Sequence, residues 1–447
     1  SFGILTSETM KLRSGTSKGE GNGDVDASSG MDPGMDSRVI TIFGKKFNFV
    51  ILVTHFNIFL YAACFWIQTG TLPYLTKKLG VDAVIYGYLQ TTFAVVQLCG
   101  GPLYGRFGDL FGGQAALVLA FGAAAISYAI LGVSYSIPVL FLSRLPSVFM
   151  HAMQGGQMVV TDMADSKNRA DALGKLGLSY GIGMVVGPFI GGLVTKYSSE
   201  QTAALVAAAG SVLSILIVLI FIPKQTKMAH VEVKASEKSA SSIFSIKKIM
   251  SLLAQPGALV LLTVKAVSGV PIGIFQSMFA ILAMEKFGLA PEQNGFMMSY
   301  VGVITMIMQG FGLGILTKRF KEMSLITLSS FVLVWAYLLL AFVQDVTQLC
   351  LVMFPLCFGL TIKNVIISSA LTHTVPDEDT GAMLGLNMAV NSLIRTVSPT
   401  VGGIMLNTWG YPSFGYVGFV ASSLVFIYLY FIRKEPKDSN IHVSHTT

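Results

Sequence analysis

Stretches of about twenty apolar residues recur along this chain, each close to the length an α-helix needs to cross a bilayer. Few features restrict a fold as strongly. In hydrocarbon every backbone N–H and C=O must be satisfied inside the protein, so only helices and closed barrels can span. A barrel would show short alternating segments, and these do not recur here. Charged residues make up 12% of the 447. An ordinary soluble domain carries about 25%, so too little polar surface exists to cover a water-soluble globule of this size.

Reading the runs in order predicts about twelve spans, near 48–73, 84–104, 114–134, 138–160, 172–194, 202–222, 258–283, 294–314, 323–343, 347–370, 382–405 and 411–432. The expected organisation is a disordered cytoplasmic N-terminus (1–47, rich in Gly, Ser and Asp), a six-helix bundle (48–222), a cytoplasmic linker (223–257), a second six-helix bundle (258–432) and a cytoplasmic tail (433–447). No cleavable signal peptide is expected, since nothing before the first span is continuously apolar.

The net charge of +7 is informative by position. With both termini inside, Lys45, Lys46, Arg106, Arg169, Lys224, Lys318, Arg319 and Arg433 are among many basic residues on the cytoplasmic side, against Lys77, Lys78, Lys196 and Lys286 outside. That asymmetry is what membrane insertion imposes, so it implies no nucleic-acid partner. The four cysteines, Cys64, Cys99, Cys350 and Cys357, lack metal-ligand or redox spacing.

The two halves resemble each other at an offset near 210. Lys78-Leu79-Gly80 and Gly87 are matched by Lys286-Phe287-Gly288 and Gly295. Residues 160–174 align without gaps on 371–385, and at that offset GPFIGG (187–192) falls on SPTVGG (398–403). The fold class expected is thus an all-α membrane protein with about twelve transmembrane helices in two parallel six-helix repeats, an architecture that puts a substrate site between the halves near the midplane.

Span five carries the densest glycine cluster, GIGMVVGPFIGG (181–192). Gly183, Gly187 and Gly191 are four apart and share a helix face, which lets two helices approach closely in lipid. Pro188 removes the hydrogen bond to the Met184 carbonyl. Two readings stand: a tight structural contact, or a bendable seam between the halves. Gly174, Gly183, Gly187, Pro188, Gly191 and Gly192 together fill every position of G-x8-G-x3-G-P-x2-G-G. This resembles the antiporter motif of the twelve-span drug/proton antiporters of the major facilitator superfamily. The resemblance implies that span five packs against span eight and shapes the central cavity.

Two further motifs resemble that superfamily in weaker form. GRFGDLFGGQ (105–114) keeps Gly105, Asp109 and Gly112 of the loop signature G-x3-D-R-x-G-R-R, while Leu110, Gly113 and Gln114 replace its basic positions. The resemblance implies that Asp109 caps the eleventh helix and latches the halves, with the basic part missing or moved to Arg106. Arg144 stands where the family has a buried arginine, although Ser147 takes the usual glutamine position. Asp162 and Arg169 resemble the family's cytoplasmic acidic and basic pair. Longer stretches, among them 86–109, 144–163 and 393–403, resemble a vertebrate organic-cation-transporter-like branch of the solute carriers. That resemblance implies efflux of organic cations and lipophilic amines in exchange for protons, and locates the protein in the plasma membrane (apical) or an endomembrane.

Charged residues inside spans are costly and mark function by default. No Asp or Glu lies deep in a predicted span. The basic ones are Arg144 and His151 in span four, seven apart and so on one helix face, Lys265 in seven, Lys363 in ten and Arg395 in eleven. For Lys265 and Lys363 the competing reading is snorkelling to the interface. For Arg144 it is a tie to backbone carbonyls or glutamines. Arg395 cannot deprotonate and needs an anion, water or several acceptors. Gln68, Gln97, Asn387 and Asn391 are expected to orient a ligand, and His151 is the best proton carrier because only His titrates unperturbed near neutral pH. A cavity of this charge suits anionic or zwitterionic amphiphiles at least as well as the cations of the family resemblance, which would bind on aromatic faces such as Phe65 and Trp66.

The leading expectation is a secondary active transporter. The competing one is a transporter-like scaffold binding lipid or protein partners, with 223–257 and its Ser-rich 236–242 stretch as docking segment. No G-x4-G-K-[ST], H-E-x-x-H or paired-carboxylate pattern occurs, so an enzyme is not expected. Expected partners are a small organic solute, protons and the lipid bilayer, with no cofactor, no metal, no nucleic acid and a monomeric state.

Overall fold

The computed structural model describes residues 39–42, 45–164, 169–224, 246–376 and 379–434. Expectations about 1–38, the Ser-rich 236–242 stretch and 435–447 fall outside these. The described chain opens with two antiparallel strands, β1 Val39–Ile42 and β2 Lys45–Asn48, paired from Val39 with Asn48 to Ile42 with Lys45. They correct the expectation that all of 1–47 is disordered. The β-branched run Val39-Ile40-Thr41-Ile42 favours extended backbone. Asn48 then starts the first helix: its side-chain oxygen accepts from the Val50 and Ile51 amides at 3.0 and 3.4 Å, satisfying donors that a helix start leaves orphaned.

The helices follow as α1 Phe49–Lys78, α2 Ala83–Gly132, α3 Ile137–Leu142, α4 Ala152–Met163, α5 Arg169–Tyr197, α6 Glu200–Phe221 and a short α7 Ile246–Leu253 in the linker. The second half holds α8 Ala258–Phe287, α9 Pro291–Ile307, α10 Leu313–Arg319, α11 Glu322–Ala341, α12 Val346–Thr372, α13 Thr380–Trp409 and α14 Pro412–Lys434. Among the described residues, nine helical segments are long and apolar enough to cross a membrane. One of them, α2, is two crossings. Gly112 sits at φ +85°, a left-handed conformation open to glycine at little cost, and breaks the element between the predicted spans two and three. The two remaining crossings miss the apolar criterion for separate reasons. Span eleven is the 30-residue α13, diluted by Asn387, Asn391 and Arg395. Span four is not one helix.

The expected helix over 138–160 is broken into α3, a 3-10 turn at Leu145–Phe149, a non-helical Met150–His151 and α4. Arg144 and His151 therefore do not share a face through helical spacing, which corrects that expectation. Pro146 cannot donate into a helix interior, and the Ser143 and Ser147 hydroxyls donate to the Leu140 and Arg144 carbonyls (both 2.6 Å), competing with the helical ladder. Helix α2 supports the break: at Gly100 it leaves no room for a Cβ against the Val148 carbonyl. Span eight is also interrupted, by a π-turn at Met308–Gly312 between α9 and α10.

The apolar core gathers in two clusters, one drawn from residues 50–222 and one mainly from 252–429 that also takes in Leu72, Leu75, Tyr86 and Leu89. Without a hydrophobic drive between helices in lipid, close approach must come from small residues. Gly183, Gly187 and Gly191 of α5 face the Phe59, Ala63 and Ile67 carbonyls of α1, matching a four-residue period with a four-residue period. On these positions the tight-contact reading holds, within one half. Gly192 points the other way: a Cβ there would lie 2.7 Å from the Pro291 carbonyl at the start of α9.

That second face repeats around the molecule. Gly295 of α9 is closed off by the Pro188 carbonyl, and Gly87 of α2 by the Pro399 carbonyl of α13. Gly192 meets Pro291, and Gly403 meets the Ala83 carbonyl. The internal repeat read from sequence is thus a repeated contact: two glycine–proline seams, α5 on α9 and α2 on α13, join the halves. Hydrogen bonds reinforce them: Tyr74 to the Leu289 carbonyl (2.7 Å), Ser299 to the Val185 carbonyl (2.6 Å) and Thr91 with Thr400 (2.8 Å). Lys196 and Glu292 add an ion pair at 3.1 Å. At the opposite ends of these helices a Cβ on Gly105, Gly310, Gly314, Gly381 or Gly385 would meet nothing within 4 Å. The contacts that clamp the halves gather at one end of these helices, while the glycines named at the other end face open space.

Candidate functional site

The groups between the halves form a chain. Arg395, midway along α13 and exposed, reaches the opposite half, with Nη2 3.4 Å from Gln97 Oε1 on α2. Gln97 Nε2 donates to the Met150 carbonyl at 3.1 Å, and the Tyr61 hydroxyl of α1 donates to the same carbonyl at 3.0 Å. That carbonyl is available because span four is non-helical there. His151 follows directly. Its ring packs on Tyr104 (centroids 5.3 Å), Nε2 is buried without a partner, and Arg395 is within electrostatic reach of it. The break in span four thus gathers Gln97, His151 and Arg395 at one place, where a continuous helix would have kept the carbonyl occupied.

Arg144 lies elsewhere. It is 2% exposed inside the first half, with Nη1 3.3 Å from Gln68 Oε1, while Nε and Nη2 have no partner. The glutamine that one of its sequence readings expected is among its partners.

A second polar cluster occupies the other half. Lys265 of α8 is 4% exposed, so it does not snorkel. Its Nζ donates to Asn364 Oδ1 and Ser368 Oγ of α12 at 3.2 and 3.4 Å, and Asn387 Nδ2 of α13 donates to the same Ser368 oxygen at 3.2 Å. Asn387 Oδ1 is buried with no partner. Lys363 is 1% exposed, also not snorkelling, with an unpartnered Nζ. Asn391, half-buried, stands one turn from Asn387 and one turn from Arg395. Sequence reading missed Asn364 and Ser368, although their i, i+4 spacing on an apolar span was the available signal.

Among the described residues no carboxylate lies within 4 Å of Arg144, Lys265, Lys363 or Arg395. The acidic side chains sit near element ends: Asp82, Asp109, Asp162, Asp171, Glu200, Glu285, Glu292, Glu322, Asp345 and Asp379. The charge inside the described spans is therefore positive.

At the end opposite the clamp, Asp109 and Asp162 line a cleft of about 280 Å³ with Gly108, Gly113, Gln154 and Thr161, all of the first half. The cleft groups Asp109 with residues of the first half, and the start of α13 at Asp379 carries no side-chain cap. Gln114, at one of the motif's basic positions, donates from Nε2 to the Ile222 carbonyl at 2.6 Å and the Val218 carbonyl at 3.4 Å. A neutral amide there satisfies the last carbonyls of α6, a task a cation could also perform. Arg169 is exposed at the start of α5 and Gly174 is half-buried one turn on; residues 165–168, between Asp162 and Arg169, lie outside the described set.

The family model described as Major Facilitator Superfamily matches residues 54–362 and 261–445. The mouse protein named solute carrier family 22 member 18 is 39% identical over 386 residues, covering 85% of this chain and 95% of its own. Multidrug resistance protein 1 of Bacillus subtilis (strain 168) is 23% identical over 365 residues, covering 81% and 90%. Among solved structures, the human organic anion transporter MFSD10 (TETRAN) superposes with a TM-score of 0.60 at 18% identity, covering 85% of this chain and 98% of that one.

Proposed function

The chain belongs to the major facilitator superfamily, a family of multi-pass membrane transporters, and from that premise we propose that it carries anionic or zwitterionic organic amphiphiles across the membrane by alternating access. The observation that carries the charge preference is the uncompensated positive charge between the halves, above all Arg395. A guanidinium is always charged and matches a carboxylate or phosphate in a two-pronged fork. Held by one glutamine at 3.4 Å, it has donors to spare for a substrate oxyanion. Gln97, Asn387 and Asn391 would orient that substrate, and Arg144 with Gln68 would hold the first half's interior.

With both termini cytoplasmic, as the basic loops indicate, the end opposite the clamp faces the cytosol and the clamped end faces outward. Closing the cytosolic end would bring Asp109 toward α13, where a carboxylate stabilises a helix start by roughly 0.3–1 kcal/mol. The glycine–proline seams are then the contacts that part when the site opens outward. If protons move with the substrate, His151 carries them, adjacent to Arg395.

A second reading, organic cation export coupled to protons, is favoured by the complete glycine–proline motif of α5 and by the resemblance to the multidrug resistance protein. Thermal unfolding of the purified protein separates the two. Octanoate and a zwitterionic octyl sulfobetaine should raise the unfolding temperature, by an amount corresponding to about 2.7 kcal/mol at a hundred times Kd, and tetraphenylphosphonium should not. Stabilisation by tetraphenylphosphonium alone would establish the cation reading instead.

A further inference from the structure

The Lys265 cluster has a feature that structural packing alone leaves unexplained. Its ammonium is almost fully buried and has three donors, of which neutral oxygens on Asn364 and Ser368 take two. Ser368 already accepts from Asn387 as well, so it cannot compensate the charge. Burying an ammonium without a counter-ion is among the costlier things a membrane protein does. A ligand group carrying negative charge would relieve it.

The cluster and Arg395 are linked by one helix. Asn387, Asn391 and Arg395 are spaced four residues apart on α13, so they form a stripe rising about 12 Å between the first and last Cα. Helix α8 is pressed onto α13 one turn beyond Lys265, where Gly269 meets Ile394 and Gly273 meets Ser398, which holds Lys265 at the level of this stripe. The stripe therefore runs from one uncompensated cation to another, with a half-buried amide between.

We propose that the site takes elongated anions with two oxyanion groups, one seated on Arg395 and the other on Lys265. This rests on the anionic reading above and narrows it from a single headgroup to a two-ended ligand. A single-headed amphiphile fills one pole only. The recognised chemistry is a pair of carboxylates or phosphates joined by an apolar stem. A free α,ω-dicarboxylate and a lysophosphatidate bearing a terminal carboxylate both meet it.

Binding of α,ω-dicarboxylates of increasing chain length to the purified protein in nanodiscs tests this, with the monocarboxylate of equal length beside each and an ω-carboxyacyl lysophosphatidate as the lipid arm. Affinity should pass through a maximum with chain length and at that length exceed the monocarboxylate by tenfold or more. Arg395→Ala and Lys265→Ala should each remove that advantage. Lys265→Glu, checked for monodispersity and helicity, should exchange the preferred ligand for the ω-amino carboxylate of the same length, a gain that misfolding cannot produce. If mono- and dicarboxylates bind equally and only Arg395→Ala weakens both, the two-ended site is wrong while the anionic reading stands. If neither binds in any length and tetraphenylphosphonium does, the anionic reading has failed. Preference for the ω-carboxyacyl lysophosphatidate over the free dicarboxylates would assign the ligand to lipid.

Discussion

Gly295→Leu is expected to abolish transport while leaving both halves folded. The Pro188 carbonyl occupies the space a side chain at Gly295 would need, and backbone cannot rotate away as a side chain can. Overfilling a packed contact costs roughly 1–3 kcal/mol. Because each 1.4 kcal/mol is a factor of about ten in an equilibrium, the clamped state would fall by one to two orders of magnitude. In the proposed cycle the cost falls on one conformation only, since there the seam parts when the outer end opens, so the substitution should shift a population instead of unfolding the chain. Cysteines replacing Lys196 and Glu292, whose charged groups are 3.1 Å apart across this seam, report it directly. With Cys99 and Cys350 removed, a short bifunctional thiol reagent should cross-link the pair in the parent and fail in Gly295→Leu. Gly295→Ala should be intermediate, and adding Gly87→Ala, at the second seam, should deepen its effect. Unchanged cross-linking and transport in Gly295→Leu would mean that the seams are ordinary packing with no part in the cycle.

Arg395→Ala should weaken binding of a carboxylate amphiphile by roughly 10- to 150-fold, the equivalent of the ~1.5–3 kcal/mol of a hydrogen bond to a charged group. Arg395 is exposed between the halves and makes one long hydrogen bond, so its loss should cost the fold little. Arg395→Lys keeps the charge but loses the planar fork and should recover part of the affinity. Gln97→Leu should act more weakly, by freeing the guanidinium from its only described protein acceptor. Isothermal titration with octanoate measures all three. Equal affinity in Arg395→Ala and the parent would remove Arg395 from the site.

The parts of this architecture that were legible in sequence are those set by period. Helical spacing put Gly183, Gly187 and Gly191 on one face, and the repeat offset paired Gly87 with Gly295 and Pro188 with Pro399. These hold because backbone approach depends on the absence of a side chain, which a sequence states outright. Span four was misread because its apolar composition is that of a continuous helix; the signals against one were Pro146 and the flanking serines, whose hydroxyls compete locally with the ladder. Its consequence, the Met150 carbonyl bound by Gln97 and Tyr61, joins residues far apart in the chain and could not be read from spacing. The charge census was readable, but the partners of each cation were not. Lys265 read equally well as snorkelling until α12 supplied Asn364 and Ser368. The paired strands at 39–42 and 45–48 were hidden by the polar composition around them.

In the proposed function a positively charged site between two rocking halves moves organic anions. Counterflow into proteoliposomes containing only this protein tests it most directly. Vesicles loaded with unlabelled octanoate should accumulate labelled octanoate transiently above equilibrium, and vesicles carrying the Arg395→Ala variant should not. Accumulation of labelled tetraphenylphosphonium in its place, unaffected by Arg395→Ala, would contradict the account.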